Sequence, residues 1–436
     1  MALFTACSTA DDMVAEAPNG TPSDNQTSET TLIAEASLNS EESISLGIGQ
    51  SLGYTTRAVL NPTDVVGGYG NFTTEDGRYI GVFCLSTGTQ TGANVPDAVA
   101  SNHWDDDANG ELGGLLVKLK DVPAKVTNSG STYSFKFWRT STDKEEHYYY
   151  PMSNWMKYNF YAYYPQTNSS TAVINQSTVD VTGYEIDGSQ DLIWGMTDQV
   201  NSASVAVDPY CAKYFRLARA AAGGGDISGY YPVFKFNHQL VQFNFFVKAA
   251  DDAAYTSLTA AKAKITDMYI DNAIYKLKFC VASQDANFDD CQLTKDGNLA
   301  DVTKKLGIKK KGETDEDVFN GVYNQWVKPA DDVVSPQAVS NGYVGYIMLP
   351  SPNANVSGDA SFKYRLVMKI VYDGSPGSDE VSIELTPPSE GFIAGKSYNV
   401  IVRVVSPEEI FATAVLQKWE TYEDESSNPF INYEVK

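Results

Sequence analysis

The sequence predicts an all-β chain of two β-sandwich domains, on three observations. Apolar and polar residues alternate at period two in many short runs, the longest being 232–248, PVFKFNHQLVQFNFFVK. That period puts successive side chains on opposite faces of a strand. Turn signals recur between the runs, at Glu75-Asp76-Gly77, Asn109-Gly110, Asn128-Ser129-Gly130 and Asp187-Gly188. Many short strands with regular turns are the grammar of a sandwich or barrel. A Gly-rich irregular stretch, 220–229, then separates one series of strands from a second that opens at Pro232. The expected division is 58–228 for the first sandwich and 229–436 for the second, behind an arm of residues 8–57.

The first of these runs is the weakest strand and the most consequential. Residues 1–7 read MALFTAC, an apolar end and small residues before Cys7, like the tail of an export signal. Residues 8–36 are rich in Ser, Thr, Asp, Glu and Pro without periodicity and read as a solvated tether. Ile44, Leu46 and Ile48 then alternate with Ser43, Ser45, Gly47 and Gly49, a short one-faced strand. Polar residues 53–56 and Arg57-Ala58 follow, and Asn61-Pro62 ends the pattern.

In the first domain, strands are expected at 79–85, 115–119, 133–138, 158–164 and near 192–196. The second opens with Phe234, Phe236, His238 and Leu240 on one parity. Val241, Phe243, Phe245 and Val247 hold the other. A phase change inside one run predicts a bulge or bend at 238–241. The Ala-rich 251–263 allows a helical turn or two, strands follow at 265–270 and 274–280, and polar 285–328 reads as a long loop or insertion. Strand 343–349 comes next. Phe362, Tyr364, Leu366, Met368 and Ile370 share one face, and Val381, Ile383 and Leu385 return after a turn at 373–377, giving a hairpin. Branched residues on both faces of 400–405 mark a central strand. Segments 410–419 and 430–435 close the chain.

Composition excludes several classes of function. The length allows two or three domains. The formal charge of −23, spread along the chain, argues against nucleic-acid backbone binding and against simple attraction to anionic lipid. No apolar run is long enough to span a bilayer. The 27 tyrosines read either as strand formers or as an aromatic sugar-binding face.

Chemistry-bearing motifs are sparse. None of the five cysteines has metal-site spacing. Cys84 shares the parity of Ile80 and Val82 and reads as a core thiol. Cys280 falls on the polar face of its strand, within reach of Cys291 across a turn, though a pairing cannot be deduced from sequence. His238, among apolar neighbours, reads as a hydrogen-bonded core histidine, and His103 and His147 lie in polar turns. Hydrolase, metalloprotease and phosphate-loop motifs are absent. Asp105, Asp107 and Asn109 fit the first half of a calcium loop, but its twelfth position is Leu116 instead of a carboxylate, and Asp-Asn-Gly is also ordinary turn sequence. No cofactor is expected, and no particular pair of carboxylates points to catalysis.

In order along the chain stand LFTAC, a strand leading to TTRA, YNFYAYYP (158–165), QDLIWG (190–195), FKFNHQLVQFNFFV (234–247), YIMLP (346–350), FIAGKSYNVIVRV (392–404) and Trp419. Together they resemble the fimbrillin family, the pilus subunits of certain Gram-negative anaerobes. The resemblance implies two sandwiches of transthyretin-like topology. It implies export as a lipoprotein acylated, for instance with palmitate, on Cys7 and held at the outer membrane; Phe4 stands where such signals more often carry an aliphatic residue. It also implies cleavage by an Arg- or Lys-specific surface protease between Arg57 and Ala58. The cut subunit would then assemble by donor-strand exchange with other copies or related pilins into a fimbria that supports adhesion and biofilm. Ile431, Tyr433 and Val435 would be the donor strand, with 410–419 as second candidate. The alternative is a lipid-anchored tip adhesin or carbohydrate-binding surface protein that contacts glycans or proteins.

The cut has a physical rationale of its own. Removing Ile44, Leu46 and Ile48 from a core costs roughly 5–9 kcal/mol at ~1.5–3 kcal/mol each, against ~5–15 kcal/mol for a whole domain. The opened edge would accept any strand of like period. A head-to-tail contact of that kind does not close, and it builds a filament.

Overall fold

The computed structural model describes residues 44, 46–48, 79–87, 101–129, 132–151, 156–197, 210–225, 227, 230–309, 326–329, 342–373, 379–406 and 409–417. The chain is all-β. Its first half holds β1 (Leu46–Ile48), β2 (Tyr79–Ser86), β3 (Val117–Ser129), β4 (Thr132–Arg139), β5 (Lys144–Glu145), β6 (Tyr158–Gln166), β7 (Thr171–Ile174), β8 (Thr178–Glu185), β9 (Ile193–Thr197) and helix α1 (Ala212–Ala221). The second half holds β10 (Val233–His238), β11 (Val241–Ala249), α2 (Asp252–Ala260), β12 (Lys264–Ile274), β13 (Lys276–Ser283), β14 (Gln292–Lys295), α3 (Leu299–Val302), β15 (Thr303–Gly307), β16 (Tyr343–Leu349), α4 (Ala354–Ser357), β17 (Arg365–Val371), β18 (Asp379–Glu384), β19 (Ser397–Ser406) and β20 (Glu409–Gln417).

Strands β10, β9, β6, β2, β3 and β4 are hydrogen-bonded in that order, and β1 pairs with both ends of the series. Seven strands therefore form a closed ring, with β5 appended to β4. Two four-stranded sheets, β16-β11-β19-β20 and β15-β12-β17-β18, make up most of the second half. They meet through Phe243 and Tyr364, whose ring centroids lie 6.2 Å apart. A further sheet, β14-β13-β8-β7, joins two hairpins from different halves.

Strand pairing thus crosses the expected division at 228/229. β10 completes the ring, and β13 pairs with β8. The indole of Trp194 also donates to the carbonyl of Val281 at 2.8 Å. Periodicity identifies strands, whereas the sheet a strand joins depends on which edge is open to it.

The phase change at 238–241 marks the passage from one sheet to another. His238 sits opposite Ile193 of β9, and Val241, three residues on, sits opposite Leu349 of β16. Both parities of β11 are buried. Similarly β12 and β13 are separated only by Tyr275, and they carry one run of chain between two sheets. The expected central strand is β19, flanked by β11 and β20, and the expected hairpin is β17–β18.

Residues 285–328 are not wholly a loop, since β14, α3 and β15 fall within them. No disulfide joins Cys280 and Cys291. Cys280 lies opposite Gln292, so the neighbouring Cys291 turns to the other face, where it is buried. Helix α1 was not expected; Tyr214, Phe215, Leu217 and Ala218 give it a buried face, and the sulfur of Cys211 accepts from the Tyr214 N–H at its N-terminus. Among the described residues the tyrosines go mainly inward: Tyr158, Tyr161, Tyr163, Tyr164, Tyr184, Tyr210, Tyr214, Tyr364 and Tyr398 are fully buried.

Candidate functional site

The ring closes on its shortest member. β1 is parallel to β10, with Gly47 opposite Val233 and Ile48 opposite Phe234. It is antiparallel to β4, with Leu46 opposite Phe135 and Gly47 opposite Ser134. The N–H of Ile44 donates to the carbonyl of Tyr148 at 2.8 Å. Ile44 and Leu46 are buried, at 5% and 1% exposure, as their alternation with Ser43 and Ser45 predicts. At ~1.5–3 kcal/mol each, these two side chains contribute roughly 3–6 kcal/mol.

Aromatic rings line the place that β1 fills. Phe135 stands edge-on to Phe234 at 5.3 Å and to Phe236 at 6.2 Å, and Phe234 stacks on Phe236 at 5.4 Å. Phe137 and Tyr148 meet at 5.2 Å. Phe135, Phe137, Phe234 and Phe236 belong to strands visible in the sequence, whereas Tyr148 lies outside any strand; the shared parity of Phe234 and Phe236 is the only signal that they face one side together. Beside them Tyr148 donates from its hydroxyl to Glu146 at 3.1 Å, and Glu146 pairs with Arg139. The Arg139 hydrogen bond holds the Glu146 carboxyl below its ordinary range, while partial burial and then the Glu146 bond push the Tyr148 hydroxyl up to about 12.

A second constellation lies in the same ring. Asp121, on β3 with φ of 52°, accepts from the Tyr163 hydroxyl at 3.1 Å, while its other oxygen is buried without a partner. Burial pushes its carboxyl up to about 6, against the lowering effect of the Tyr163 and Gln166 hydrogen bonds and of Lys120.

The calcium-like run is organised around backbone. Asp107 is buried, and its carboxylate accepts from the N–H groups of Leu112, Gly114, Leu116 and Val117 at 2.9, 3.2, 2.7 and 3.2 Å. Leu116, at the position where the calcium pattern needs a carboxylate, offers its N–H to Asp107. Asp105 and Asn109 do not share that nest, and Asn109 instead bonds Glu111. Among the described residues no three His, Cys, Asp or Glu side chains cluster as metal ligands. His238 is a buried core histidine paired through Nδ1 with Asp191.

Of the expected site residues, Ile44, Leu46 and Ile48 are thus placed in the ring. Cys7, Arg57, Ala58, Trp419, Ile431, Tyr433 and Val435 lie outside the described residues. The second donor candidate is represented by β20, which pairs with β19 in its own chain and, among the described residues, forms the edge of that sheet.

The chain is similar in structure to a candidate cell adhesion protein of Bacteroides uniformis, at 12% identity and a TM-score of 0.41, covering 88% of this chain and 99% of that one. A second candidate cell adhesion protein, of Bacteroides eggerthii, matches at 12% identity and a TM-score of 0.35, over 87% and 96% of the two chains. The fimbrial anchor protein Mfa2 of Porphyromonas gingivalis matches at 7% identity and a TM-score of 0.30, over 87% and 98%. No curated protein matches the chain. The fimbrillin-like family model matches residues 56–419, most of the sequence. On that match the chain belongs to the fimbrillin-like family.

Proposed function

We propose that the chain is a structural subunit of a cell-surface fimbria, exported as a lipoprotein acylated on Cys7. It is matured by cleavage between Arg57 and Ala58 and polymerised by strand exchange at the position of β1. The observation that carries this reading is the seating of β1. Three residues close a seven-stranded ring, and their loss leaves β4 and β10 as two facing unpaired edges over an aromatic floor. The family match begins at residue 56, after β1, and includes both strands that flank it. A strand with apolar residues at period two, such as Ile431, Tyr433 and Val435, suits the vacated groove. β20 suits it less, because its removal would uncover the central strand β19.

The fimbria itself is proposed to support adhesion and biofilm. The partners are other copies or related pilins, an Arg/Lys-specific surface protease, and the outer membrane through lipid. Among the described residues no helix is long and apolar enough to cross a membrane. Electron microscopy before and after limited Arg-specific digestion tests the assembly. Filaments should appear only after cutting, Arg57→Ala should stay monomeric, and a chain ending at Asn428 should cap filaments of intact protein. Normal filaments from the chain ending at Asn428 alone would remove the terminal strand as donor.

A further inference from the structure

We infer that β7 is a lateral docking edge whose occupant is β7 of a second copy of this chain, paired antiparallel across a two-fold axis. Among the described residues β7 is the outermost strand of the sheet β14-β13-β8-β7. Natural edge strands are guarded by charge, proline, a bulge or a covering loop. β7 reads Thr-Ala-Val-Ile, pairs with β8 without a register shift, and leaves Val173 42% exposed, one of two large apolar side chains so exposed among the described residues.

Electrostatics selects the occupant. The chain carries a formal charge of −23 and 20% charged residues, yet from Tyr158 to Val179 there is no Asp, Glu, Lys, Arg or His. Residues 158–166 of that run are β6, mostly buried in the ring, so the uncharged surface is that of 167–178 around β7; two copies of so acidic a protein repel over most of their surface, and the repulsion is least there. The nearest charge on the sheet, Asp180 of β8, is held at 3.1 Å by Asn175 of its own chain.

The hydrogen-bond phase fixes the register. The N–H of Asn175 donates to the carbonyl of Thr178 at 2.8 Å, closing the β7–β8 turn. Bonded and non-bonded pairs alternate along an antiparallel ladder. Val173 and Thr171 therefore direct their backbone groups to β8, while Ala172 and Ile174 direct theirs outward. A two-fold axis at Ala172 lets the two Ala172 residues exchange backbone bonds and places Val173 of each copy beside Thr171 of the other. The contact is isologous and joins two four-stranded sheets edge to edge. It does not depend on exchange at β1. If that reading also holds, each contact is weak alone but repeats along a filament, and filaments are tied side by side.

The test is sedimentation velocity of the uncut Arg57→Ala chain over a dilution series, which excludes polymerisation through β1. A reversible dimer should form and should strengthen as salt screens the acidic surfaces. Val173→Lys adds the missing edge charge. Ala172→Pro removes an outward donor without touching the bonds to β8. Each should weaken the dimer ~tenfold or more, and Thr171→Lys serves if either fails to fold. A chain that stays monomeric to its solubility limit, edge variants that dimerise like the parent, or a dimer that salt dissolves would each overturn the inference.

Discussion

Phe135 of β4 and Phe234 of β10 touch edge to face, with ring centroids 5.3 Å apart, although β1 runs between their strands. Strands two places apart in a sheet are separated by ~9.5 Å, so the rings reach across the position of β1 and join its neighbours directly. The seam thus has an aromatic floor made by the body of the ring, with β1 seated against it. Under the proposed cleavage, that floor would still join β4 and β10 beneath the vacated groove.

Phe234→Ala should therefore harm the cut protein more than the intact one. Truncating a buried Phe costs ~3–5 kcal/mol, and in the cut protein the floor has no strand beside it. Urea unfolding of both forms, with and without the substitution, measures this. An equal loss in the two forms would mean that the floor does not hold the opened ring together.

Asp121 gives the ring a pH dependence of known sign. Its folded value of about 6 stands above the ordinary 3.8 because the carboxyl is buried. The folded state therefore holds the proton more tightly than the unfolded chain. Stability from this group is fully present below the unfolded value and is lost as pH rises through about 6. The loss is of order 2–3 kcal/mol, roughly 1.4 kcal/mol per pH unit between the two values. Asp121→Asn keeps a side chain that tolerates the positive φ. It should raise the melting temperature above pH 6 and flatten its slope there. A variant with the parent's pH profile would show that Asp121 does not titrate in this range.

Asp107 should behave as a structural carboxylate. Asp107→Ala strands four N–H donors, two of them on buried residues, at a cost of at least ~3 kcal/mol. Calcium or a chelator should leave the melting temperature of the parent unchanged, because the carboxylate is already occupied by backbone. A calcium-dependent rise would restore the metal reading of Asp105, Asp107 and Asn109.

Much of this fold is legible in the sequence because period-two burial is a local property. The runs around Phe243, Leu366 and Val402 lie in strands, and the phase change at His238–Val241 marks a change of sheet. Partnership between strands was not legible. Nothing local in Val233–His238 says that it completes a ring with β9 and β1, because that depends on edges far away in the chain. Helix α1 was hidden by its Ala- and Gly-rich end, although Tyr214, Leu217 and Ala218 follow helical spacing. The candidate site divides in the same way. Ile44 and Leu46 announced a buried face by alternation, while the aromatic floor could be assembled only once β4 and β10 were known to flank them.

Hydrogen exchange read by mass spectrometry tests the central claim, that β1 is a replaceable strand, most directly. The protein is cut at Arg57, freed of its N-terminal fragment, and compared with the intact chain and with the cut chain plus a peptide of residues 429–436. Removal should raise exchange in 132–139 and 233–238, the strands that flank β1, and leave 397–406 protected. The peptide should restore protection to both flanking strands, and a peptide with Ile431→Asp and Val435→Asp should not. Unchanged exchange in β4 and β10 after removal of β1, or no restoration by the native peptide, would contradict the account.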